Sequence, residues 1–216
     1  MKTMLLFIMI LLLGMPTSAP APAMQVESYD LEVFFNLPED IQPIEEPQLV
    51  EYSIYEYIID QCKELGINYN FAMSILQSEN TVADPNPKPN QNRNGTKDLG
   101  MWQLNSNYIE WFCQKFWHNE HEFDVENPFD NTYVALRIIK WLFKQINNSN
   151  LIEQYPDTEW LVAVAYNAGI GRLLSVTNGN PLPNSSIAYA NKTVNYRNNN
   201  FPSYFISGLT STVISV

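Results

Sequence analysis

The sequence predicts a mainly α-helical single domain behind an irregular acidic N-terminal arm, and three observations lead there. Between Tyr52 and Asn200 apolar residues recur at helical spacing in one segment after another, no stretch shows sustained strand alternation, and Gly, Pro and Asn cluster between the helical segments. The chain of 216 residues is 45% hydrophobic and 13% aromatic, which is enough to bury one real core.

Residues 1–23 read as a signal peptide. Lys2 precedes ten apolar residues from Met4 to Leu13, Gly14 and Pro16 break the run, and Ala21-Pro22-Ala23 supplies the small residues that signal peptidase requires. The run is about half of the roughly 20 residues a membrane-spanning helix needs. The expectation is therefore an exported protein, periplasmic or secreted, with no transmembrane segment after cleavage. Residues 24–51 follow as an acidic arm, with Glu27, Asp30, Glu32, Glu39, Asp40, Glu45, Glu46 and Glu51, three prolines and no Lys or Arg. A short strand near 31–35 is suggested. The arm is either a solvated leader or a docking segment for a cell-envelope or secretion-machine partner.

The body is expected over 52–200. Tyr55, Ile58, Ile59, Cys62 and Leu65 make one helical stripe that stops at Gly66. A second helix is expected over 70–80 with Asn70 as N-cap, a third over 106–117, and a fourth over 130–146 with a broad apolar stripe. The fifth starts near Asp157 and is apolar all round from Trp160 to Tyr166, the pattern of a central buried helix. A sixth is expected over 187–198. Residues 201–216 are apolar and rich in Ser and Thr, and no element can be assigned to them.

Composition removes several function classes. Twelve basic against 23 acidic residues give a net charge of −11, which argues against nucleic acid as a partner, because phosphate contacts need clustered Lys and Arg. No cofactor is implied. His118 and His121 are too few for a multi-histidine metal centre and read as solvated. The Asn90 to Asp98 segment imitates a calcium loop but places Met101 where a bidentate Glu is needed, so no metal is expected. Four Asn-x-Ser/Thr triplets, at Asn94, Asn147, Asn184 and Asn191, matter only in a eukaryotic secretory host. Cys62 and Cys113 would be favoured to pair in an oxidising compartment, the other reading being two thiols on helix faces.

One residue breaks the apolar pattern of the second helix. Glu79 lies three, four and seven residues after Leu76, Ile75 and Ala72, so its carboxyl shares their face. Burial disfavours the charged form and raises the pKa, as a general acid near neutral pH requires; the plain alternative is a helix end turned to solvent.

The loop beyond it carries a resemblance. Asn92-Arg93-Asn94-Gly95-Thr96-Lys97-Asp98-Leu99-Gly100-Met101-Trp102-Gln103-Leu104-Asn105-Ser106 resembles the N-x-N-G-S-x-D-x-G-L-M-Q-I-N-S segment of the soluble lytic transglycosylase (SLT) family, in its small secretion-associated, lysozyme-like branch. Ala165-Tyr166-Asn167-Ala168-Gly169 is similar to the family's A-Y-N-A-G signature, and Tyr189-Ala190-Asn191-Lys192-Thr193 to its late Y-A-x-K-V element, all in family order. The departures are Asn80 where Ser usually follows the glutamate, Trp102 where Met is usual, and Thr193 where an apolar residue is usual.

The resemblance implies a lysozyme-like helical domain of the goose-type/SLT kind. It also implies cleavage of the β-1,4 bond between N-acetylmuramic acid and N-acetylglucosamine in peptidoglycan glycan strands. Glu79 would be the single acid and base, giving 1,6-anhydro products. Gly100 would let the backbone approach a sugar ring, Gln103 would offer its amide, and Asn167 would join them in substrate binding. Trp102 and Tyr166 would supply faces for stacking, core packing being the other reading of Trp102, and Tyr189 would hydrogen-bond the catalytic carboxyl. Asp98 is the nearest candidate for a second carboxylate, so lysozyme-type hydrolysis is the alternative. A non-catalytic wall-binding or structural protein on the same fold is the reading from a different class.

Overall fold

A computed structural model describes residues 51–199 and 201–215. The signal peptide and the acidic arm, with its suggested strand, lie outside the described residues except for Glu51.

The body opens with a short strand, β1 (Glu51–Ser53), that runs directly into helix α1 (Ile54–Leu65). A reciprocal cap fixes the start of α1: Glu56 N donates to Ser53 Oγ at 3.2 Å, and Ser53 N donates to Glu56 Oε2 at 2.9 Å. Ile54, Ile58 and Cys62 face the core, while Ile59 is 37% exposed, so the buried stripe is rotated by one residue from the expected one. Helix α2 (Tyr69–Glu79) starts on Asn68, whose side chain accepts from Asn70 N and Phe71 N; Asn70 sits inside the helix instead of capping it.

The segment expected as a loop after Glu79 contains a small antiparallel sheet. Its strands β2 (Asn90–Gln91), β3 (Lys97–Leu99) and β4 (Leu104–Asn105) pair in that order, with Asn90 opposite Asp98 and Asp98 opposite Asn105. Strands this short have no room to show an alternation, which is why the sequence pattern is silent about them.

A 3-10 turn at Ser106–Tyr108 leads into α3 (Ile109–Phe116). Helix α4 (Pro128–Asn147) begins with proline at its first position and the Asn127 side chain as cap. Helices α5 (Leu151–Gln154), α6 (Thr158–Ala168), α7 (Ile170–Leu174) and α8 (Asn184–Arg197) follow. Asp157 caps α6, and Leu161, Val162, Ala163 and Val164 have no exposed surface, as expected of a central helix. α6 packs between α4 and α8, and α8 also lies along α2. Arg197 ties the end of α8 to the start of α6, with Nη1 donating to Glu159 Oε2 at 2.6 Å and Nη2 3.3 Å from Asp157 Oδ2.

The tail belongs to the domain. Helix α9 (Ser203–Thr210) buries Phe205 and Leu209 and packs on α1. Strand β5 (Val213–Ser215) pairs antiparallel with β1, Ser53 opposite Val213. Among the described residues no helix is long and apolar enough to cross a membrane.

Candidate active site

The fold brings the end of α2, the three-stranded sheet, α3 and the end of α6 around one cleft of about 960 Å³. Glu79, Asp98, Gln103, Tyr166 and Asn167 line it. Glu79 is half-buried at the last residue of α2 and lines the cleft there.

Tyr189, projecting from α8, donates its hydroxyl to Glu79 Oε1 at 2.6 Å. Burial pushes the Glu79 carboxyl up to about 7, and the neighbouring charge of Asp98 pushes the same way; the Tyr189 hydrogen bond and the nearby Lys192 ammonium oppose them. Burial and the adjacent Glu79 also drive the Tyr189 and Tyr166 phenols well above their ordinary value, so both remain protonated donors. A carboxyl poised near neutrality, with its rotamer fixed by a phenol, can deliver a proton to an ether oxygen and take one back.

Asp98 enters from β3. Its Oδ1 accepts from the side-chain amides of Asn92 and Asn105, each at 2.9 Å. Both asparagines also donate to Thr96 Oγ1 at 3.0 Å. Three side chains, Asn92, Thr96 and Asn105, thus hold this carboxylate in place.

Gln103 sits in a turn locked from two helices. Gly100 has φ +67, and a Cβ there would lie 2.6 Å from Asn131 Cγ and still closer to the Asn131 amide nitrogen and the Val125 carbonyl, so only glycine fits. The Asn131 side chain, wholly buried on α4, accepts from Trp102 N at 2.8 Å and donates to Val125 O at 3.1 Å. Tyr166 on α6 donates its hydroxyl to Trp102 O at 2.9 Å. Gln103 itself takes φ +52, a conformation a non-glycine residue holds only when its surroundings fix it, and its Nε2 donates to Gly100 O at 2.9 Å.

For Trp102 and for the two cysteines the structure selects one of the two readings that the sequence left open. Trp102 cannot stack on a sugar: its indole has no exposed surface, and its Nε1 donates to Thr132 Oγ1 at 2.8 Å inside the core. The large side chain in place of the usual Met fills the space between the turn and α4. Cys62 and Cys113 do not pair; both are free thiols, the first buried and raised to about 12 by its burial. Asn80 explains its own departure from the pattern: it is buried, its Oδ1 accepts from Asp84 N at 3.1 Å and its Nδ2 donates to Asp84 O, so it clamps the following loop rather than facing the cleft. The Thr193 hydroxyl lies 2.9 Å from that of Ser78, joining α8 to α2 one residue before Glu79. His121 is not simply solvated, since its Nε2 lies 3.1 Å from Asp130 Oδ1.

The sequence reading missed the aromatic wall formed by Tyr108, Trp111, Phe112 and Trp141, all of which line the cleft. It also missed Asn131 and the amide donors to Asp98. The sequence reading gave a helix over 106–117 without a role for its aromatics, and the 58% exposure of Tyr108 and 39% of Trp111 come from α3 lying at the cleft.

A profile of the family described as Transglycosylase SLT domain matches residues 56–181, which include Glu79 and Gly169 but stop short of Tyr189. No curated protein sequence matches the chain. Among solved structures, the chain is similar to an inactive mutant of the lytic transglycosylase Slt from Pseudomonas aeruginosa, with 16% sequence identity and a TM-score of 0.49. That likeness covers 65% of this chain and 22% of the other, so the chain spans less than a quarter of that protein's length.

Proposed function

The chain belongs to the transglycosylase SLT domain family, and from that premise we propose that it cleaves the β-1,4 bond between N-acetylmuramic acid and N-acetylglucosamine in peptidoglycan, with Glu79 as the one acid and base. In the first half of the reaction the protonated Glu79 carboxyl gives its proton to the glycosidic oxygen, and the bond from that oxygen to the muramic C1 breaks. The developing positive charge at C1 is shared by the substrate's own N-acetyl group. In the second half the Glu79 carboxylate takes the proton of the muramic C6 hydroxyl, O6 bonds to C1, and a 1,6-anhydro ring closes with no water consumed. The carboxyl ends as it began.

The observation that carries this reading is the position of Glu79 near neutrality, about 7, under the 2.6 Å bond from Tyr189. An acid and base in one group needs both protonation states within reach at working pH. Gln103 and Asn167, both in the cleft lining, are suited to hold hydroxyl and acetamido groups while this happens. Tyr166 acts through the turn it bonds. Mass spectrometry of products from purified cell wall tests the proposal: anhydro ends are expected, and their absence alongside new reducing ends overturns the ring-closing step.

A second reading is favoured by one observation. Asp98 lines the same cleft and is anchored by two asparagine amides on one oxygen. Such an anchored carboxylate suits the second role in a two-carboxylate hydrolysis, which would leave reducing ends.

The substrate lies outside the cytoplasm, so the reading also supports removal of residues 1–23 on export and leaves the acidic arm as the segment that could dock a partner in the envelope. N-terminal sequencing of the exported protein should begin at Met24.

A further inference from the structure

We propose that α3 and the turn before it form a separate glycan subsite, in which Trp111 and Tyr108 stack on an N-acetylated sugar of the strand that Glu79 cuts. The inference rests on the peptidoglycan-cleaving reading and adds to it a requirement for strand length.

Aromatic rings this large are normally hidden, yet Tyr108 is 58% and Trp111 39% exposed, and both line the cleft that holds Glu79. Neither bonds Glu79 or contributes to the shift of its carboxyl. Without touching the reacting carboxyl, the two rings therefore line the cleft. Its volume of about 960 Å³ lies at the upper end of the roughly 300–1,000 Å³ that pockets for drug-sized ligands occupy, leaving room for sugars beyond the bond being cut.

Trp111 is also held ready. Trp141 and Phe112 pack against it at 5.4 and 5.5 Å between ring centroids, and the Lys115 ammonium sits 4.5 Å from the centroids of both indoles. A ring fixed before the ligand arrives loses little freedom on binding. Among the described residues Trp102, Trp117 and Trp160 each spend their indole N–H on a protein acceptor, whereas Trp111 makes no such bond. An apolar face with an unspent N–H at its edge matches a pyranose, which offers C–H groups on its faces and hydroxyl and acetamido oxygens around its rim.

The test uses the full chain carrying Glu79→Gln, so that ligand is bound and not consumed, and calorimetric titration with β-1,4-linked N-acetylglucosamine oligomers of two and five sugars. The five-sugar oligomer should bind more tightly than the two-sugar one. Adding Trp111→Ala should weaken the five-sugar oligomer by about 10-fold or more, the loss typical of a truncated aromatic anchor, and the two-sugar one by much less. Trp111→Tyr should restore most of the loss, which a folding defect would not allow, and Tyr108→Ala should give a smaller loss in the same direction.

Equal effects of Trp111→Ala on both lengths, or none on either, overturn the subsite while leaving the cleavage reading in place. A sugar-free stem peptide that competes with the five-sugar oligomer and loses its own binding in Trp111→Ala overturns it in favour of a peptide site. If neither oligomer binds when Trp111 is intact, the cleavage reading and the subsite fall together.

Discussion

Tyr189 donates a 2.6 Å hydrogen bond from α8 to Glu79 Oε1 at the end of α2, so the carboxyl is oriented by a helix more than a hundred residues further along the chain. The bond favours the ionised carboxyl and therefore restrains the rise that burial imposes on it.

Tyr189→Phe should consequently shift the Glu79 carboxyl upward from about 7, moving the alkaline limb of the pH profile for wall cleavage to higher pH. The maximal rate should fall at the same time, because the carboxyl loses its fixed orientation. A pH profile of cleavage by purified variant and parent decides it, and an unchanged alkaline limb counts against Glu79 as the group that titrates.

Glu79→Gln keeps the shape of the side chain and its ability to accept from Tyr189 but removes the transferable proton. Wall cleavage should fall by at least ~100-fold, the usual contribution of a general acid. Turbidity loss of a wall suspension measures this, with circular dichroism showing that the fold is kept.

The same substitution has an opposite effect on stability at high pH. A carboxyl at about 7 in the folded chain, against about 4.3 unfolded, binds more protons when folded, so its contribution to stability is complete below about pH 4 and is lost as pH rises through 7. Glu79→Gln removes that loss. Urea unfolding should show the variant gaining on the parent by about 3 kcal/mol between pH 4 and pH 8. A difference that does not change with pH would mean that Glu79 titrates normally.

Asp98→Asn separates the two chemical readings. In ring closure no water is activated, so the change should cost far less than Glu79→Gln, with anhydro ends retained on every product. In hydrolysis through Asp98 both substitutions should be comparably damaging and the ends reducing. Product mass spectra from the Asp98→Asn protein distinguish the two outcomes.

Gly100→Ala should be among the most damaging single-methyl changes in the chain. The new Cβ meets the Asn131 side chain and the Val125 carbonyl, and the φ of +67 disfavours any side chain. A loss of more than about 2 kcal/mol is expected from overpacking and backbone strain together. Thermal unfolding checks it; a loss below ~0.5 kcal/mol would mean that α4 yields easily to the turn.

Much of this arrangement was legible in the sequence because it lies in local patterns. The buried α6 followed from seven consecutive apolar residues, and the anomalous Glu79 from its place among Ala72, Ile75 and Leu76. What could not be read depends on contacts between distant segments. Trp102 reads equally as a cleft aromatic or as core until α4 supplies Asn131 and Thr132 to its backbone and indole nitrogens, and nothing in the pattern of residues 106–117 singles out Trp111 as a cleft residue. Asn70 was the expected cap of α2, but Asn68 takes that role and starts the helix at Tyr69. The two-residue strands β2 and β4 exist only through their pairing with β3.

The pairing of β1 with β5 has a kinetic consequence. Ile54 N donates to Thr212 O at 2.8 Å, and Glu51 pairs with Ser215, so the first turn of α1 is secured by nearly the last described residues. Closing so long a loop is entropically slow, and contacts of such sequence separation form late. During synthesis this corner can shut only after residues 213–215 have emerged from the ribosome, well after α1 and α2 have done so. Proteolysis of arrested nascent chains should find the α1 end protected only once residues 213–215 have left the exit tunnel.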